Sequence, residues 1–99
     1  MLVDERIKDL GNLKFGEPHK FTYTLTNDTD HLTKITRLVK SCSACTDALT
    51  RKTLLQPGES TDVEVTYTPG ATGAAEKKIQ VLYDKNENLT LVFKAFIND

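Results

Sequence analysis

The side chains in this 99-residue sequence best suited to ligating a metal or moving electrons are two cysteines and two histidines. The cysteines stand three apart in Ser41-Cys42-Ser43-Ala44-Cys45-Thr46, and the histidines are His19 and His31. A Cys-x-x-Cys pair suits a redox couple, half of a zinc site, a disulfide staple or two buried thiols. If residues 19–26 and 32–40 form a hairpin about Asp28-Thr29, His19 lies at the same end as Cys42 and Cys45. His31 then lies at the other end, because ten residues of strand cover about 33 Å. At most three ligands would meet at one end, where a structural zinc takes four. Thioredoxin-like chemistry needs its first cysteine at a helix N-terminus, where the dipole lowers the thiol pKa. Thr46 to Arg51 carries no helix signal. The expected role of Cys42 and Cys45 is therefore structural, as thiols or a local disulfide at a crossover between sheets. A thiol- or metal-binding site made of Cys42, Cys45 and His19 is the competing reading.

No glycine-rich phosphate loop, His-Glu-x-x-His helix or Gly-x-Ser-x-Gly elbow occurs, so neither catalysis nor a cofactor is expected. Asn27, Asp28 and Asp30 offer oxygen atoms to a cation, but these residue types are also what a turn demands, and the turn is the expectation here. A charged fraction of 27% with a net charge of -1 creates no strong field of either sign. Phosphate binding needs clustered lysine and arginine, so nucleic acid is not an expected partner. Apolar runs reach only three or four residues, far short of a membrane span. Acidic residues in Met1-Leu2-Val3-Asp4-Glu5-Arg6 stand where a signal peptide would be apolar. The expected location is the virion or the cytoplasm.

These side chains must be positioned by short strands. Phe21, Tyr23 and Leu25 alternate with Lys20, Thr22, Thr24 and Thr26, which is the signature of a half-buried strand. Val63, Val65 and Tyr67 repeat the pattern, as do Ile79, Val81 and Tyr83, and then Leu89, Leu91, Phe93, Ala95 and Ile97. Leu32, Ile35 and Leu38 recur at three instead of two, but the β-branched content between them points to a strand with a bulge. Polar or proline-glycine turns fall at Asn27–Asp30, Pro57–Glu59, Pro69–Gly73 and Asp84–Asn88. The spacing predicts about seven strands, near 5–10, 19–26, 32–40, 47–51, 61–68, 75–84 and 88–97. The fold class expected is all-β, a single immunoglobulin-like antiparallel sandwich over residues 1–99.

The order of these motifs resembles the bacterial immunoglobulin-like domains marked by a Ser-Cys-Gly-Cys-Thr stretch, within the hydin-like, major-sperm-protein-like and PapD-like group of sandwiches. The resemblance runs through Asp9-Leu10-Gly11-Asn12-Leu13, Gly16-Glu17, Phe21 to Asn27, Ile35 to Leu38, Ser41-Cys42 and Gln56-Pro57-Gly58-Glu59-Ser60. The family stretch has one residue between its cysteines, whereas Ser43 and Ala44 intervene here. Membership implies a packing or docking module and not a catalyst.

In the last hairpin the outward set should hold Lys78, Gln80, Leu82, Thr90, Val92, Lys94 and Phe96. Three of these are apolar, with Leu82 and Val92 expected to be diagonal neighbours, and an exposed apolar cluster commonly marks a contact surface. Leu82, Val92 and Phe96 are thus the candidate interaction surface, unless Leu2-Val3 folds over it or the register shifts by one. The expected function is a non-enzymatic structural or docking module in a larger assembly, as a decoration, neck or tail-associated subunit of a virus or phage particle. Protein partners are expected, homo-oligomeric contacts among them. A cytosolic adaptor that binds an extended peptide at a sheet edge is the other alternative.

Overall fold

The computed structural model describes residues 1–99. It contains nine strands and no helix: β1 (Leu2–Val3), β2 (Ile7–Lys14), β3 (His19–Thr26), β4 (Thr33–Lys40), β5 (Thr46–Thr50), β6 (Leu54–Leu55), β7 (Ser60–Tyr67), β8 (Gly73–Tyr83) and β9 (Glu87–Asn98). They form a four-stranded sheet ordered β1-β3-β7-β5 and a five-stranded sheet ordered β2-β9-β8-β4-β6. The immunoglobulin-like sandwich expected from the alternation is the fold. The two strands beyond the expected seven, β1 and β6, are two residues each, too short to leave a periodic signal.

The core follows from that alternation. Tyr23, Leu25, Val63, Val65 and Tyr67 point in from one sheet, and Ile79, Val81, Leu91, Phe93, Ala95 and Ile97 from the other. Phe93 is the hinge of an aromatic cluster, edge-on to Phe21 at 5.1 Å and to Tyr67 at 5.0 Å. Tyr23 is fully buried, and its hydroxyl donates to the Val92 carbonyl at 2.6 Å, so one side chain ties the two sheets together. Two bulges adjust the period. A register shift between Ile35 and Arg37 lets Ile35 and Leu38, three apart, both face inward, as the irregular spacing predicted. A second between Asp9 and Asn12 does the same for Leu10 and Leu13.

Three expectations are corrected. The strands at 19–26 and 32–40 do not form a hairpin: β3 pairs with β7 and β1, and β4 with β8 and β6. The reason lies in Asn27, which is fully buried. Its Nδ2 donates to the carbonyls of His31 (2.8 Å) and Leu55 (2.9 Å), while its Oδ1 accepts from the Thr29 N–H and hydroxyl. Its own N–H and C=O bond to Glu59 and Gly58. This builds an arch that carries the chain from one sheet to the other. Nor is the sandwich wholly antiparallel, because β2 runs parallel to β9. Widely separated segments with no tight turn between them are free to pair in that direction. Leu2-Val3, finally, does not cover the outward face of the last hairpin, since β1 pairs with β3 in the opposite sheet.

Asn27→Ala is expected to cost about 3 kcal/mol, because the buried Leu55 carbonyl loses its donor and the arch loses its bonds to His31 and Thr29, and Tyr23→Phe about 1 kcal/mol for one neutral hydrogen bond. Urea unfolding of both variants checks the ranking. Burial, and then the carboxylates of Asp4 and Glu5, push the Tyr23 hydroxyl well above its ordinary pKa. The folded state therefore favours the protonated phenol. Its contribution is fully present below the unfolded pKa of about 10 and is lost as pH rises beyond it. The unfolding midpoint should fall above about pH 10, and less steeply in Tyr23→Phe. Tyr67 and Tyr83, both raised by burial, supply the remaining slope.

Candidate functional site

Where β4 ends, Ser41 clamps the chain to β8: its N–H donates to the Lys78 carbonyl and its Oγ accepts from the Lys78 N–H, each at 2.9 Å. The five residues Ser41–Cys45 then cross to the other sheet. Cys42 and Cys45 are joined by a disulfide with Cα atoms 5.6 Å apart. The Thr46 N–H donates to the Cys42 carbonyl (3.0 Å) and the Thr68 N–H to the Cys45 carbonyl (2.8 Å), so the bridge sits inside a hydrogen-bonded turn that starts β5. His19 is at this end, as expected, but by a different route. It pairs with Tyr67, which pairs with Thr46, leaving His19 two strands and about 10 Å from the loop. Each sulfur is bonded to the other, so neither offers a thiolate. The three-residue ligand set of Cys42, Cys45 and His19 is not assembled.

The outward face of the five-stranded sheet holds the expected residues in rows across the strands. Arg37, Leu82 and Asn88 share one row, Val39, Gln80 and Thr90 the next, and Lys78, Val92 and Ile7 the third. Beyond them lie Glu76, Lys94 and Asp9, and then Ala74, Phe96 and Asn12. Leu82, Val92 and Phe96 all point outward, with Phe96 half exposed. The expected diagonal contact between Leu82 and Val92 is corrected: Leu82 faces Asn88, four residues and about 13 Å along β9 from Val92. Val92 instead has Ile7 beside it, 52% exposed. Local patterning could not find Ile7, because its neighbour is set by parallel pairing between opposite ends of the chain.

Next to Phe96 the β2 bulge opens a shallow concavity lined by Asp9, Gly11, Asn12 and Ala74. Gly11 holds a φ of +72°, a left-handed conformation suited to glycine, and its N–H is taken by Asp9 Oδ1 at 2.9 Å. The aromatic ring thus stands beside backbone that lacks a side chain to shield it.

The family described as "Protein of unknown function (DUF1573)" matches residues 1–97. Nothing among curated proteins matches the chain. A Porphyromonas gingivalis W83 protein of unknown function superposes with a TM-score of 0.81 at 17% identity, over 96% of this chain and 46% of that one. The Vibrio cholerae VesB protease superposes with a TM-score of 0.80 at 20% identity, over 96% of this chain and 31% of its own. The ASH / PapD-like domain 7 of human CEP192 gives 0.72 at 12% identity, over 99% and 84%. The chain therefore spans less than half the length of the first two, and the three likenesses show a shared β-sandwich fold.

Replacing both cysteines, Cys42→Ser with Cys45→Ser, should lower stability by about 2 kcal/mol, the loop-closure value for so short a ring. Urea unfolding with and without reductant measures it. Added zinc should leave the thermal midpoint of the oxidised protein unchanged.

Proposed function

The chain belongs to the DUF1573 family, and on that footing we propose that it is a non-enzymatic docking domain that works as part of a larger protein assembly. The observation that carries the reading is the outward face of the five-stranded sheet, where Phe96 and Ile7 stand exposed and Val92, beside Ile7, is partly exposed among polar neighbours. Half-exposed large apolar side chains on a rigid sheet are suited to seating a protein partner, with aromatic residues as anchors. A small core leaves little interior for a substrate and favours use of the surface. In this reading Leu82, Val92 and Phe96, joined by Ile7, form the interaction surface, and the Cys42–Cys45 disulfide shapes a crossover. The hallmark-cysteine family named from the sequence is the finer form of the assignment, with a two-residue gap in place of one.

The finer function makes the assembly a virus or phage particle, with residues 1–99 acting as one domain of a decoration, neck or tail-associated subunit. The partners are proteins, copies of this chain included. No helix is long and apolar enough to cross a membrane.

The test is the native mass of the complex from which the chain is isolated, by light scattering, beside recombinant chain. A large stoichiometric complex with a monomeric recombinant control is the expected result, and a particle of virion composition would establish the finer form. A free monomer in both settings overturns the assembly reading. Phe96→Asp should weaken partner binding by about tenfold or more, as loss of an aromatic anchor does. Its thermal midpoint should stay near that of the parent, since the side chain lies outside the core.

A further inference from the structure

The edge of a sheet is a row of unpaired N–H and C=O groups, and folded proteins cover or distort such rows. Each of the four edges here is treated in that way over part of its length. β1 covers the end of β3, and Asp4 extends the cover: its N–H donates to the Thr24 carbonyl (3.0 Å) and its Oδ1 accepts from the Thr24 N–H (2.9 Å). β2 is kinked by its bulge, with the Gly11 N–H already taken. β5 is five residues long and its first N–H is held by Cys42.

β4 differs. β6 pairs only with Thr33 and Lys34, and the Thr53 carbonyl accepts from the Ile35 N–H at 2.7 Å. The chain before Thr53 belongs to the other sheet, where the Lys52 N–H donates to Thr61 Oγ1. The Ser41–Lys78 hydrogen bond sets the parity of the β4–β8 ladder, so Arg37 and Val39 turn their backbone groups toward β8. Leu38 and Lys40 turn theirs to the open side, where no strand pairs with them.

The charges that β4 itself carries have one sign, and the Asp84 carboxylate accepts from the Lys34 N–H at 3.0 Å only at the end that β6 covers. β4 carries Lys34, Arg37 and Lys40 and no carboxylate, and Lys78 lies across from Ser41. Lys40 reaches Asp47 at 4.0 Å, while Lys34, Arg37 and Lys78 have no ion-pair partner within that distance. A chain with a net charge of -1 thus presents a local basic strip. Two β4 edges pairing antiparallel would set these like charges against each other, which disfavours a second copy as the occupant.

We propose that the β4 edge takes an added strand, an extended acidic segment of a partner protein. This deepens the docking reading and rests on it. The segment bonds to the backbone of Leu38 and Lys40, and its side chains alternate between the faces. Carboxylates on the outward side meet Arg37 and Lys78, and apolar residues on the inward side extend the core beside Leu38 and Ala48, both partly buried.

The test is a titration of ¹⁵N-labelled protein with a short synthetic peptide of alternating glutamate and valine, and with its lysine–valine counterpart, followed by amide hydrogen exchange. The glutamate peptide should slow exchange at Leu38 and Lys40 by about tenfold or more and lose affinity as salt is raised. The double variant Arg37→Glu with Lys78→Glu should bind it about tenfold more weakly and gain affinity for the lysine peptide. Three results overturn the proposal: no protection at these two amides with peptide at about 1 mM, equal binding of both peptides, or protection that rises with protein concentration alone. A native complex in which Leu38 and Lys40 still exchange freely overturns this inference and leaves the docking domain standing. Edge binding by a chain that is monomeric in every setting overturns the assembly reading and leaves the edge assignment standing.

Discussion

At the middle of the sandwich the Tyr23 hydroxyl crosses from one sheet and donates to the Val92 carbonyl in the other. A buried phenol needs a partner, and this one finds it at the seam where β2 lies alongside β9. The bond therefore links the inner strand of one sheet to the parallel pair of the other. Above the same ring sits the Lys8 ammonium, 5.2 Å from the centroid, and Lys8 also pairs with Asp4. Asp4 in turn closes the β3 edge against Thr24. One buried polar contact is thus continuous with the segment that passes from the first sheet to the second.

That arrangement decides what is left for function. With the alternating apolar residues committed to the core, the outward faces, the edges and the crossovers remain. The crossover at Ser41–Cys45 is held by backbone bonds and a disulfide, and the arch at Asn27 by side-chain amide bonds. Rigid connections of this kind hold the outward face of the five-stranded sheet as a fixed platform. Its features are an aromatic ring beside a glycine bulge, an Ile7–Val92 pair and a basic strip along β4. Such a surface is suited to seating another chain.

Much of this was legible in the sequence. Side chains alternate strictly across a strand, so Phe21, Tyr23 and Leu25, or Leu89 to Ile97, announce which face is buried. The three-residue spacing of Ile35 and Leu38 announced a bulge by the same rule. The identity of the outward residues Leu82, Val92 and Phe96 was legible too. Their separation was not, because it depends on which residue of β8 stands opposite which residue of β9, a matter of turn geometry at Asp84, whose φ is +53°.

The sequence by itself determined the fold class, the inward and outward sets and the places where the chain must turn, since each depends on neighbours within a few residues. The tertiary structure decided how the strands are distributed between sheets. Asn27 looks like an ordinary turn residue until its amide is seen bonded to Leu55, 28 residues away. The parallel β2–β9 pair joins residues about 85 apart, and the exposed Ile7 acquires meaning only beside Val92. The open half of β4 is likewise a property of where β6 stops. Long-range pairing is set by the summed burial of both sheets and by the arches between them, and no local window of residues contains that information.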